Sequence, residues 1–232
     1  MDPDLPLQHV AQDIPPQTSK NKALVTAPRL DFERELWRSG LRRVVGVDEA
    51  GLGSLCGPVV AAAVHVPVGC SIVDGVRDSK TLSASQRQDL FVKIRRQAVT
   101  VGVGAASVEE IERFNVLRAS HLAMRRALAR IGPYDHALID GRPIKNFDLG
   151  PHTAIVDGDA LSYAVACASI VAKVTRDALM RRLAVRYPQY GWDHNAGYGT
   201  IEHLGALQKF GLTPYHRRGY APVRAIVEGW RC

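Results

Sequence analysis

The chain has 232 residues, 46% of them hydrophobic and 23% charged, a composition that suits an ordinary globular protein with a core of its own. No apolar run reaches the roughly 18 residues of a transmembrane helix, and the opening MDPDLPLQHVAQDIPPQTSKNK, with four prolines and no apolar stretch, does not read as a signal peptide. The net charge of +7 is concentrated in residues 160–232, which hold ten Lys+Arg against four Asp+Glu; a polyanionic partner and plain solubility are both open readings of it.

Residues 1–28 are polar, Pro-rich and aperiodic, and predict a disordered tail. Leu30, Phe32, Leu36 and Trp37 follow at helical spacing and predict a short helix before Gly40. RRVVGVDEAG reads as a strand ending in acid and glycine, and VVAAAVHVPV (59–68) as a second strand, antiparallel to it across the 51–58 connection. Residues 83–97 predict a helix capped by Ser83 or Ser85, 98–106 a third strand, and Ser107 with Glu110 a capping box that opens another helix. Asn115 to Arg130 carries Val116, Ala119, Leu122, Ala123, Ala127 and Leu128 on one face, so a helix runs to the stop at Gly132-Pro133. HALID (136–140) and HTAIV (152–156) are short strands, residues 160–186 one long Ala-rich helix, and about 200–210 and 222–229 two tail helices joined by the loop Gly211–Tyr220. These elements imply an α/β fold with a mixed five-stranded sheet flanked by helices, followed by a C-terminal helical extension.

Acids recur at the ends of these strands. Asp48-Glu49 ends the first, Asp140 the fourth, and Asp157 and Asp159 follow the fifth. Strand ends border the functional crevice of open α/β sheets. Carboxylates gathered there repel one another unless cations lie between them. Hard oxygen ligands favour Mg²⁺ or Mn²⁺ over zinc, and a pair of such ions serves phosphodiester hydrolysis. The plainer reading of an acid beside glycine, as at Asp140-Gly141, is a turn residue. The cysteines Cys56, Cys70, Cys167 and Cys232 lie far apart without a CxxC or Cys/His cluster, which fits a reducing cytoplasm and no structural zinc.

GVDEAGLGSLCGPVVAAAV resembles the opening DEAGRGxLxGPV motif of the type II ribonucleases H. RDSKTLS, FNVLRASHLAMRRAL, ALIDG, DGDALSYAVACASIVAKVTRD, YPQYGWDHNAGYGTIEHLGAL and PYHRRGYAPV resemble that family's later segments in the same order, so the resemblance covers about residues 41–226. It implies a ribonuclease H-like catalytic domain over 29–186 and a substrate-gripping extension over 187–232. It places the metal-binding catalytic acids on Asp48, Glu49, Asp140 and Asp159. Asp157 stands where the family usually has lysine, as an accessory ligand or a solvated acid. Readout of the ribose 2′-hydroxyl falls on the turn Gly51-Leu52-Gly53 and on Tyr198; a 2′-hydroxyl contact is what separates RNA from DNA.

Leu52 replaces the family's arginine and Ala196 its lysine, and Gly219-Tyr220 stands for Ser-Phe. The turn is expected to face solvent, so the loss at Leu52 is read as a lost phosphate contact; the competing reading packs Leu52 against Leu55. Lys80, Lys173 and Arg176 are the candidates for phosphate contact, with solvated or ion-paired charge, including a pair with Asp177, as the plainer reading. Trp192, Tyr190, His194, His203 and Cys167 read better as packing or hydrogen-bonding residues than as ligands. The resemblance thus implies a monomeric endonuclease using two Mg²⁺ or Mn²⁺ ions. It would cut the RNA strand of RNA–DNA hybrids, incise 5′ of single ribonucleotides in duplex DNA, and leave 3′-hydroxyl and 5′-phosphate ends. Its setting would be removal of misincorporated ribonucleotides and primer RNA. The rivals are a hybrid-binding protein of weakened catalysis and a nuclease of the same fold with another target, such as a junction resolvase.

Overall fold

The computed structural model describes residues 27–144 and 147–228. Its strands are β1 (Val44–Ala50), β2 (Val59–His65), β3 (Thr100–Ala106), β4 (His136–Asp140) and β5 (His152–Ile155), which form one sheet in the order β3-β2-β1-β4-β5. β1, β2 and β3 are antiparallel neighbours, whereas β4 lies parallel to β1 and β5 parallel to β4. The sheet is therefore mixed, as the sequence implies. The helices are α1 (Asp31–Arg38), α2 (Ala84–Gln97), α3 (Val108–Phe114), α4 (Val116–Ile131), α5 (Gly158–Leu161), α6 (Tyr163–Arg186), α7 (Trp192–Asn195), α8 (Ile201–Phe210) and α9 (Ala221–Val227).

Alternation along the strands sends side chains to two cores. Val44, Ala62, Val64 and Leu138 face α6 together with α1 and α2, while Val45, Val47, Ala61, Ala63 and Ile139 face α4. Small residues at the crossing points let the helices settle directly on the sheet. At Gly46 a Cβ would lie 2.0 Å from the Ala164 carbonyl carbon, so the start of α6 rests on the β1 backbone itself. Asp48, two residues on and on the same side of the pleat, therefore projects toward α6.

A third core joins the extension to the rest. Leu55, Cys56, Met180 and Ala184 pack with Tyr190, Trp192, Ala196, Leu207 and Val223. Tyr190 and Trp192 are buried and stacked on each other, centroids 5.1 Å apart, which makes them packing residues rather than free platforms for bases.

Local signals place most boundaries. Ser83, not Ser85, caps α2 through a capping box with Gln86, and Ser107 and Glu110 form the expected box at α3. β2 ends at His65 rather than at 68, because Pro67 has no N–H to continue a ladder. The long helix expected over 160–186 is two helices, broken at Ser162, whose backbone is extended (φ −101°, ψ 129°). Of the disordered tail expected over 1–28, residues 1–26 lie outside the described residues, as does Cys232; Pro28 is buried, so the tail does not reach residue 28.

Candidate active site

β1 and β4 run parallel with Val47 opposite Ile139, which sets Asp48 beside Asp140 at the same end of the sheet. Asp159 reaches them from α5. The Gly158 N–H donates to Asp140 Oδ1 at 2.7 Å and so ties the start of α5 to the end of β4. Asp48 is buried and its Oδ1 accepts the Glu49 N–H at 2.7 Å, while the nearby Ser169 hydroxyl of α6 opposes the upward shift of its pKa. Ser169 in turn shares a 2.9 Å hydrogen bond with Ser79, which precedes Lys80. Lys80 brings its ammonium to 3.5 Å from Asp159 Oδ2 while most of its side chain stays in solvent.

The electrostatics of this cluster are those of crowded, buried acids. Burial, and then the neighbouring Glu49 and Asp140, hold the Asp48 carboxyl well above the usual range. Burial and Asp140 push Glu49 up to about 7 and Asp159 up to about 6. Asp140 is raised by burial, though the Gly158 N–H opposes the shift. Burial works against the Lys80 charge, yet Asp159, Asp78 and Asp48 outweigh it and raise its pKa. One ammonium at the rim does not neutralise four crowded carboxyls. An all-oxygen, mutually repelling set of this kind fits hard divalent cations.

Asp157 stands apart. It is exposed, occupies the left-handed region at φ 56° and makes no side-chain cap, so it is a solvated acid at the turn into α5.

The glycine turn after β1 is fixed by the far end of the chain. Gly51, at φ +100°, is required by the Arg176 side chain, which would lie 2.0 Å from a Cβ there. Arg176 corrects the expectation of a phosphate contact. It is fully buried, and its guanidinium donates to the carbonyls of Pro58, Cys56 and Ala196 at 3.0, 3.0 and 2.9 Å. A guanidinium under this turn is held by carbonyl dipoles instead of reaching solvent. Arg217, also fully buried, donates to the Gly57 and Leu52 carbonyls, and the Tyr220 hydroxyl donates to the same Leu52 oxygen at 2.5 Å.

Leu52 is half-buried against the core between the sheet and α4, so its side chain is not the solvent-facing position expected. Leu55 belongs to the third core, so it is not the packing partner either. Ala196 is buried in that third core as well. Gly53, by contrast, is exposed with open space around it.

Tyr198 is partly exposed and lies over two cations, its ring centroid 5.3 Å from Lys173 Nζ and 5.6 Å from Arg176 Cζ. Lys173, one turn along α6 from Ser169, is paired with Asp177 at 2.7 Å and lies against the Tyr198 ring. The structure thus gathers Asp48, Glu49, Asp140, Asp159 and Lys80 in one cluster; Arg176 lies beneath the turn Gly51-Leu52-Gly53, and Tyr198 lies over Arg176 and Lys173. Sequence reasoning missed Ser169, Ser79 and Arg217. Ser169 lies one turn before Lys173 on the same helix, which is the spacing that points to it.

Cys56, His203 and His216 place possible ligand atoms within 4.8 Å of one another. Their hydrogen bonds assign them to the core. The Thr213 N–H donates to His216 Nδ1, so His216 Nε2 carries the proton and donates to His203 Nε2; that same nitrogen also accepts from Trp192 Nε1. His203 Nδ1 donates to the Tyr198 carbonyl. Burial, with His203 beside it, pushes His216 down to about 4 and keeps the pair neutral. His194, in contrast, is exposed and paired with Glu202 at 2.6 Å.

The family model for ribonuclease HII matches residues 45–223. The ribonuclease HII of Thermosynechococcus vestitus is 56% identical over 203 residues, covering 88% of this chain and 95% of that protein. That of Gluconobacter oxydans is 47% identical over 202 residues, covering 85% and 96%. Among solved structures, ribonuclease H2 from Pyrococcus horikoshii OT3 aligns with a TM-score of 0.64 at 25% identity, over 80% of this chain and 97% of that one. Bst-RNase HIII, solved in complex with Mn²⁺, shares the fold with a TM-score of 0.67 at 17% identity, over 81% and 70%. With a family model that takes in β1 through α8 and relatives matched over nearly their whole length, the chain belongs to the ribonuclease HII family and is a ribonuclease H-type hydrolase.

Proposed function

We propose that this protein is a metal-dependent endoribonuclease that cuts the RNA strand of RNA–DNA hybrids and incises 5′ of single ribonucleotides in duplex DNA, leaving 3′-hydroxyl and 5′-phosphate ends. The observation that carries the reading is the convergence of Asp48, Glu49, Asp140 and Asp159 beside the glycine turn, with their carboxyls raised by burial and mutual repulsion. These four acids would hold two Mg²⁺ or Mn²⁺ ions. Bound there, divalent cations lower the pKa of a water and stabilise charge on the leaving oxygen.

The rest is done by the chain. The Glu49 N–H orients Asp48, and the Gly158 N–H orients Asp140. Lys80 offsets part of the negative charge at the rim and lies where a scissile phosphate would enter. The exposed Gly53 admits close backbone approach to a ribose. Tyr198, held over Lys173 and Arg176, offers its ring edge to the sugar. The extension 187–232 grips the duplex on the side of Tyr198. The protein acts as a monomer in the cytoplasm on misincorporated ribonucleotides and primer RNA; among the described residues no helix is long and apolar enough to cross a membrane.

Matched duplexes with no, one or four ribonucleotides, assayed with Mg²⁺ and with Mn²⁺, test this reading. Cleavage of the last two and none of the first is expected. Cutting of the all-DNA duplex at a comparable rate would overturn it.

A further inference from the structure

Glu33 is a carboxyl residue with no solvent exposure, carried on α1 and outside the acidic cluster. Its Oε1 accepts the Ser162 hydroxyl at 2.6 Å and the Ala164 N–H at 2.8 Å, while Oε2 has no hydrogen-bond partner among the described residues. An unpartnered buried carboxylate oxygen is costly, so the arrangement asks for a reason beyond packing. Starting α6 is not that reason, because Ser162 already caps it by accepting the Val165 N–H at 3.3 Å. What Glu33 adds is a fixed junction. Arg29 brackets the same break, its N–H donating to the Leu161 carbonyl at 3.0 Å and its carbonyl accepting the Tyr163 N–H at 2.9 Å.

This junction sits between two acid-bearing segments. Asp159 lies three residues before Ser162 on the short helix α5. On the other side, the Ala164–Val165 peptide rests on Gly46, two residues before Asp48. Ala164 is therefore held between the Glu33 carboxylate and the β1 backbone. The carboxyl also faces the N-terminus of a 24-residue helix, whose dipole favours its charged form against the burial that raises its pKa.

We propose that Glu33 is a positioning residue for the metal-holding acids: by pinning the α5–α6 break against β1, it sets the distance of Asp159 from Asp48. The proposal rests on the reading of Asp159 as one of those acids. The test uses the full chain stripped of metal, with Mn²⁺ binding measured by calorimetry in the absence of nucleic acid. Glu33→Ala should weaken Mn²⁺ about tenfold, the lower end of the effect of removing an outer-shell partner. The Mn²⁺ concentration for half-maximal hydrolysis should rise by the same factor, with KM for the duplex unchanged. Glu33→Gln, whose amide oxygen still accepts both bonds, should recover most of the affinity.

A folded Glu33→Ala with wild-type Mn²⁺ affinity and only a lower melting temperature overturns the proposal. Should Glu33→Ala fail to fold, Ser162→Ala removes one of the two bonds and must give a smaller shift in the same direction; an unchanged affinity there overturns it equally. Asp159→Asn separates the two readings. If it binds Mn²⁺ like the wild type, the assignment of Asp159 fails first and the role of Glu33 falls with it.

Discussion

Asp157 and Asp159 are two residues apart and chemically alike, yet their settings differ. Asp159 is buried, coupled to Asp140 and bonded by Lys80, whereas Asp157 points into solvent from a left-handed backbone position. Asp159→Asn, like Asp48→Asn and Asp140→Asn, should lower hydrolysis by more than about a hundredfold, beyond the cost of losing an outer-shell partner. Circular dichroism should be unaltered, because each change relieves repulsion in the metal-free protein. Asp157→Lys should keep most activity and cost about 1 kcal/mol of stability for a long side chain at positive φ. Equal damage from Asp157→Lys and Asp159→Asn would mean that both acids hold metal. Tyr198→Ala should lower cleavage at a lone ribonucleotide more than it lowers binding of all-DNA duplex; equal losses would make Tyr198 a general stacking residue. Asp48, Glu49 and Asp140 were legible in the sequence because they end strands, and strand ends are local features. The burial of Arg176 was not, because two of the three carbonyls that hold it are 118 and 120 residues away in the loop after β1.

The turn between β1 and β2 behaves as one element with the C-terminal loop. Leu55 takes a carbonyl from Gly197 and gives one to Arg217, Gly57 bonds Tyr215, and Cys56 pairs with His216 in an isolated bridge. Leu52→Arg must therefore leave an apolar contact and a rigid turn. The expected outcome is a melting temperature about 2–4 °C lower, as for a loss of about 1 kcal/mol in a chain of this size, with the salt slope of duplex binding unchanged. A slope steeper by about 0.9 would report a new phosphate contact and defeat the packing account. Capping boxes, Pro67 and the Ala/Val alternation made most boundaries readable, since each signal lies within a few residues of what it controls. The break at Ser162 was unreadable for the opposite reason. Serine suits an Ala-rich helix, and the carboxylate that engages Ser162 lies 129 residues earlier.

At the scale of the whole molecule the acidic cluster couples metal, pH and stability. Glu49 and Asp159 titrate near 7 and 6 in the fold, against ordinary values of 4.5 and 3.8. Groups raised by folding bind extra protons in the native state. Their contribution to stability is complete below about pH 4 and is lost as pH rises through 6 to 7. Chelator-treated protein should therefore melt lower at pH 8 than at pH 5. Mg²⁺ should raise the melting temperature more at pH 8 than at pH 5, because it replaces the missing protons. Scanning calorimetry at the two pH values, with chelator and with Mg²⁺, checks this; a metal effect independent of pH would separate the cation from these carboxyls.

The arginine clamp also bears on how the protein is made. All four acids are in place by residue 159, but the turn that follows the first two is held by Arg176, Arg217 and Tyr220. Synthesis runs from the N-terminus. A nascent chain from which Arg217 has not yet emerged thus carries all four acids while the Leu52 carbonyl of that turn still lacks both of its later donors. The turn is finished only after Tyr220 has been made, and a chain terminated short of Arg217 keeps the Arg176 contacts but loses those of Arg217 and Tyr220.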